Sequence, residues 1–175
     1  LVGATTRLGN LTSPMRDRFG MILRLDFYNT AELTKILLRS AKLLDITINE
    51  ASASEIALRS RGTPRIANRI LKRARDFAEI NNKGNISIDI AKETLTRLGI
   101  DENGLDDMDR KIIDALVNTF DGGPVGLESL SVAISEDSKT IEEVYEPYLI
   151  KEGFIQRTTR GRIAQNKALE YFNNN

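Results

Sequence analysis

The stretch from Gly99 to Asp107 (Gly-Ile-Asp-Glu-Asn-Gly-Leu-Asp-Asp) constrains this chain most, because it separates two long runs of helical patterning. It is acidic, polar and short of apolar residues, so it reads as the boundary between two folding units, each with its own core. On the N-terminal side, Asn29 or Thr30 can cap a helix in which Leu33, Ile36, Leu37, Ser40, Ala41 and Leu44 recur at helical spacing. Ser52 and Glu55 have capping-box spacing ahead of Ile56, Ala57 and Leu58. Thr63 as cap and Pro64 as first helical residue open a helix striped by Ile66, Ala67, Ile70, Leu71, Ala74, Phe77 and Ala78. A short helix from about Asp89 to Leu98 completes an all-helical bundle.

Beyond the boundary come three helical patterns, Met108–Phe120, Gly126–Ile134 and Thr140–Lys151. The segment after Gly153 predicts a two-stranded hairpin turning near Thr159 to Gly161, with Gly161 supplying a positive φ. Three helices followed by a hairpin is the winged-helix pattern. Residues 1–30 predict a strand at Leu1–Thr6, a polar loop, a short helical turn and a second strand from Met21 to Phe27. The chain opens on what looks like the end of a buried strand, so it is expected to be part of a longer protein.

Composition narrows the chemistry. With no Cys and no His, thiolate zinc sites, disulfide scaffolds, Cys nucleophiles and His-based acid–base catalysis are excluded. No apolar run approaches membrane-spanning length, and a cytoplasmic location is expected. The net charge of zero hides strong blocks: +2 over residues 1–30, +5 over 31–100, −10 over 101–150 and +3 over 151–175. Such blocks point to separate functional surfaces, with a solvated acidic face as the plainer reading of the third.

Three short constellations could carry function. Gly3-Ala-Thr-Thr-Arg7 places hydroxyls past a strand end, where open α/β sheets hold ligands. Met15-Arg-Asp-Arg-Phe-Gly20 sets two arginines about an aspartate on a short helical turn, a pattern that taken alone is ordinarily a solvated surface pair. Gly62-Thr-Pro-Arg65 puts a cation in the first turn of a helix, where the macrodipole disfavours it unless an anion such as phosphate meets it. Seven basic residues and no acidic one lie between Arg59 and Arg75, so a nucleic-acid patch is the rival explanation. In the hairpin, Arg157 and Arg162 lie on opposite arms and Arg160 at the turn. The preceding helix carries Glu142, Glu143 and Glu146, which would repel a groove of DNA. The wing, and not that helix, is therefore expected to touch phosphates without reading sequence; a solvated cationic hairpin is the alternative.

In this order and spacing, these pieces resemble the sensor 1 strand, arginine-finger helix and sensor 2 helix of AAA+ ATPases. More narrowly, Gly3-Ala-Thr-Thr-Arg, Thr12-Ser-Pro-Met-Arg-Asp-Arg-Phe-Gly and Arg61-Gly-Thr-Pro-Arg-Ile-Ala-Asn-Arg look like the RuvB family of Holliday-junction branch-migration motors. Gly123-Pro-Val-Gly-Leu, Ile141-Glu-Glu-Val-Tyr-Glu-Pro-Tyr-Leu-Ile and Gln156-Arg-Thr-Thr-Arg-Gly-Arg extend the likeness almost to the end, with Thr159 where the family has Pro. The resemblance implies a mainly α chain: the tail of an AAA+ α/β ATPase core (1–30), a small helical lid domain (31–101) and a winged-helix head that binds DNA (102–175). It implies Thr6 as sensor 1, Arg18 as an arginine finger acting in trans, Tyr28 beside the adenine (with plain core packing as the alternative), and Pro64 with Arg65 as sensor 2. It further implies ATP with Mg²⁺, duplex and Holliday-junction DNA, a homohexamer, the partners RuvA and RuvC, and a place in DNA recombination, repair and the SOS response. The sequence holds no Gly-x-x-x-x-Gly-Lys-Ser/Thr loop, so this chain alone is expected to be inactive. A clamp-loader or initiator AAA+ protein, or a non-enzymatic winged-helix regulator, is the alternative.

Overall fold

The computed structural model describes residues 2–5, 8–81 and 84–173. The chain is mainly helical, with a lid-like helical unit, a winged-helix unit and an N-terminal segment lying outside both cores.

In the helical unit, α2 (Thr30–Leu43) starts at a reciprocal cap. The Asn29 side chain accepts from the Glu32 N–H at 2.9 Å, and Glu32 accepts from the Asn29 N–H at 2.9 Å. Two residues of strand, β1 (Thr47–Ile48), pair parallel with β2 (Asn85–Ile86) and tie together the connections that precede α3 and α5. Helix α3 spans Glu50–Leu58 and is capped by Asn49, whose side chain accepts from the Ser52 N–H at 2.8 Å. The expected cap at Ser52 is thus displaced by one turn: Ser52 is buried within the helix, and Glu55 pairs with Arg59 at 2.6 Å. Asn49 wins because its short amide can cap from an extended backbone, which leaves Ser52 free to pack. Helix α4 (Pro64–Asn81) begins on Pro64 as expected and lays Ala67, Ile70, Leu71, Ala74 and Ala78 against α2, α3 and α5 (Ile88–Arg97). Small Ala residues along this stripe allow close helix approach, and larger Leu and Ile residues fill the space between.

The second unit opens with α6 (Asp107–Asp114), whose last turn widens to an i→i+5 π turn over Ala115–Thr119. After it come α7 (Leu127–Ile134), α8 (Ser138–Thr140), a second π turn at Ile141–Tyr145, and α9 (Glu146–Lys151). Strands β3 (Ile155–Thr158) and β4 (Gly161–Ala164) form the antiparallel wing, with Gly161 at φ 137°. Val125 adds a third rung: its N–H donates to the Arg162 carbonyl at 2.9 Å and its carbonyl accepts from the Arg162 N–H at 2.8 Å. A final helix, α10 (Asn166–Asn173), not anticipated from sequence, sets Ala168 into a core built on Leu105, Ile112, Ile113, Leu116, Leu149 and Phe154. The T-shaped contact of Phe154 with Tyr171, at 6.1 Å between rings, closes that core.

The two strands expected within residues 1–30 are not formed among the described residues. Met21 to Phe27 is unpaired, with Leu25 95% exposed and Met21 73% exposed. A strand is stabilised by its neighbours' ladder and face, and no described strand lies beside this one. Only a 3₁₀ turn at Leu8–Asn10 and the short α1 (Ser13–Asp17) are regular here.

Candidate functional site

The residues singled out from sequence fall into three places. Thr6 lies outside the described residues. Arg18 follows α1, exposed, with its backbone N–H donating to the Met15 carbonyl at 3.3 Å and no ion-pair partner among the described residues. No described contact joins it to the other candidates.

The second place is the loop from Arg59 to Thr63, which sits where three segments meet. The Tyr28 N–H donates to the Gly62 carbonyl at 2.9 Å, so the end of the N-terminal segment is fastened to the start of α4. Gly62 has φ 70°, and a Cβ there would stand 2.8 Å from the Phe27 Cβ and 3.0 Å from the Tyr28 carbonyl. Both conformation and space therefore demand glycine. Gly62→Ala is expected to cost about 1–2 kcal/mol and to loosen Tyr28. Thermal denaturation checks the first expectation, and faster amide exchange at Tyr28 the second. Lys151 of α9 lies over the Phe27 ring, its Nζ 4.8 Å from the centroid and 3.3 Å from where a Gly62 Cβ would stand. Pro64 is half-buried, and Arg65 is exposed in the first helical turn with no ion-pair partner among the described residues. Thr63 serves less as the expected cap than as a loop tie: its hydroxyl donates to the Arg61 carbonyl at 3.3 Å.

Arg61 was not singled out from sequence, yet it is the most engaged cation of the loop. It adopts φ 56°, uncommon for a residue with a Cβ. Its Nε donates to the Gly104 carbonyl at 3.1 Å, and its Nη2 pairs with Asp106 at 2.9 Å and closely with Asp109. Its guanidinium lies 4.9 Å from the Tyr148 ring centroid. Asp109 is fully buried. Burial pushes its carboxyl up to about 7 and the neighbouring Asp106 adds to this, although the Arg61 charge pulls the other way. Tyr145 and Tyr148 also lie near this cluster, both raised chiefly by burial.

The sign for stability follows directly. A carboxyl whose folded pKa is raised favours the folded state when protonated, so this contribution is full below about pH 4 and lost as pH rises through about 7. The loss is expected to be on the order of 3–4 kcal/mol across that window. Asp109→Asn is expected to flatten this part of the curve, as read by denaturant midpoints at pH 5 and 7.5.

The third place is the wing. Arg157 and Arg162 face each other across the β3–β4 ladder, as the hairpin pattern required. Their guanidiniums turn inward, however. Arg162 Nε donates to Glu146 Oε1 at 2.5 Å, Arg157 Nη2 contacts Glu146 Oε2, and Arg157 Nη1 lies 3.2 Å from Glu142. Glu146 is fully buried and the Arg162 side chain is only 12% exposed. Burial alone would raise the Glu146 carboxyl, but hydrogen bonds from Arg162 and Arg157 outweigh it and hold the group below the usual carboxylate range. This corrects the view of Glu142 and Glu146 as repulsive charges on the helix: they are neutralised from the wing. Arg160, at the turn, is exposed and has no ion-pair partner among the described residues. The π turn at Ile141–Tyr145 inserts an extra residue, which shifts the helical phase and swings Glu146 inward. A plain 3.6-residue periodicity does not predict that.

Comparison with known proteins fits both units. Residues 28–101 match the model of the RuvB AAA lid domain and residues 102–173 that of the RuvB C-terminal winged helix domain. A Holliday junction branch migration complex subunit RuvB from Fusobacterium nucleatum is 55% identical over 98% of this chain, and one from Chlorobaculum tepidum is 59% identical over 98%. The chain spans about half of these relatives, 52% and 50% of their lengths. The RuvB Holliday junction branch migration motor of Thermotoga maritima superposes with a TM-score of 0.88 at 48% identity, over 94% of this chain and 55% of that one. Another T. maritima RuvB structure gives 0.91 over 98% of this chain and 57% of that one, at 48% identity.

Proposed function

The chain belongs to the RuvB family, and on that premise we propose that it supplies the nucleotide-sensing lever and DNA-gripping head of a Holliday-junction branch-migration motor. Residues 1–30 then close a large AAA+ ATPase domain, 31–101 form its lid and 102–175 its head. The observation that carries this reading is the Gly62 junction. One short loop holds Tyr28 on one side, presents Arg65 on another, and is bonded through Arg61 to the winged-helix unit.

In this reading Thr6 and Arg65 sense bound ATP in their own subunit, and Tyr28 packs beside its adenine. Arg18 reaches the nucleotide of the neighbouring subunit in a hexameric ring. An exposed guanidinium without an internal partner suits both arginines, since each must meet phosphate oxygens that come from elsewhere. The nucleotide is bound with Mg²⁺, for which the described residues offer no cluster of three acidic ligands; we place the phosphate and metal ligands outside this sequence. The partners are RuvA and RuvC, and the setting is cytoplasmic; no described helix is long and apolar enough to cross a membrane.

The head grips duplex through its wing. Arg160 is the free cation, Arg157 a half-shared one, and Arg162 supports the hairpin from within through Glu146. Contacts of this kind hold phosphates without reading bases, as a translocating protein requires. Arg160→Ala is expected to weaken duplex binding equally for all sequences and to lower the slope of log affinity against log salt by about one. Fluorescence anisotropy over several duplexes and salt concentrations tests this. A strong sequence preference with little salt dependence would count against the motor.

A further inference from the structure

The boundary between the helical and winged-helix units is polar in sequence but tightly bonded in space. Asp101 accepts from the Asn103 and Leu105 N–H groups, each at 2.9 Å, and from the Tyr171 hydroxyl at 2.6 Å. The Tyr148 hydroxyl donates to the Asn103 carbonyl at 2.7 Å, and Arg110 donates to the Gly99 carbonyl at 2.9 Å. Gly104 has φ 72°, and a Cβ there would stand 2.8 Å from the Tyr148 hydroxyl. Into this frame comes Arg61 from the helical unit, and its side chain contacts Gly104, Asp106 and Asp109.

We infer that Arg61 is a positioning residue that locks the head to the sensor loop, so that a rotation driven at Arg65 reaches the wing undiminished. This rests on the motor reading above. Three features carry it. Arg61 stands four residues before Arg65, in the short loop whose left-handed Arg61 and Gly62 lead directly into the first turn of α4, so a shift of Arg65 is passed to it along the backbone. Its Nη2 contacts a carboxylate that is fully buried, in the first turn of the head's first helix, while its Nε is held by the Gly104 carbonyl. That same carboxylate accepts from the Asp106 N–H at 2.9 Å, which makes it the reciprocal cap of α6. Any rotation of one unit against the other would break directional bonds, and at the buried Asp109 no solvent replaces them. A hinge built on apolar contact alone could slide; this one has a single bonded register.

The test uses the full-length parent, assembled with its partners on a four-way DNA junction, and measures junction migration per ATP hydrolysed. Arg61→Lys keeps the charge but loses the fork. It is expected to leave ATP hydrolysis within about twofold of the parent and to lower migration per ATP about tenfold. The double variant Arg61→Met with Asp109→Leu replaces the buried ion pair by apolar packing. It is expected to regain the parent's melting temperature without regaining migration per ATP. Should Arg61→Lys fail to fold, the double variant decides. Migration per ATP equal to the parent's in a folded variant, or hydrolysis falling in step with migration, overturns the inference. A parent that hydrolyses no ATP or moves no junction overturns the motor reading instead, and so separates the two failures.

Discussion

Arg18→Ala in the full-length protein is expected to slow ATP hydrolysis about 10³-fold or more while leaving nucleotide binding and ring assembly in place. Arg18 is exposed at the end of a five-residue helix, and its loss removes no ion pair among the described residues. Whatever rate is lost then reports charge stabilisation at a neighbouring subunit's nucleotide and not damage to the fold. An arginine suits that role because its charge is permanent and its planar fork matches two phosphate oxygens at once. Steady-state hydrolysis and junction migration, measured on rings verified by size, check the expectation. Hydrolysis that persists in intact Arg18→Ala rings removes the finger assignment.

The second large effect lies in the wing. Glu146→Ala is expected to destabilise the winged-helix unit by about 3–5 kcal/mol, lowering its melting temperature by roughly 10 °C or more. The carboxylate is fully buried between two guanidiniums, and Arg162 has little access to water with which to replace it. Glu146→Gln keeps the shape and one acceptor oxygen, so a smaller loss is expected from it. The pH dependence has the opposite sign to that of Asp109. Glu146 has a lowered folded pKa, so its contribution is present above the ordinary carboxylate range and is lost as pH falls through the folded value. Thermal scans at neutral and acid pH read the difference: on going from neutral to acid pH, the stability of Glu146→Ala should change less unfavourably than that of the parent, because only the parent loses the Glu146 contribution.

These two glutamate and aspartate sites show where residue patterns stop informing. Helix α4 was legible because Pro64 fixes its start and its Ala, Leu and Ile stripe repeats at one spacing. The wing was legible because Gly161 and the flanking arms have hairpin chemistry. The strands within residues 1–30 were expected from local apolar runs, but a strand forms only beside another, and none described is there. The inward turn of Arg157 and Arg162 was hidden because their partner is eleven and sixteen residues of chain away on a helix whose phase a π turn has shifted.

What sequence alone determined about this protein was its helical units, the hairpin, and a compound set of short motifs specific enough to point to one family. Those are local properties, set by spacing, caps and turn residues. Only the tertiary structure decided the use of its charges. Arg162 and Glu146 became an internal pair, Arg160 and Arg65 stayed outside, and the acidic stretch at the boundary became the socket for Arg61 in place of a loose linker. A charge's role depends on whether an opposite charge meets it out of water, and that is fixed by residues distant in the chain.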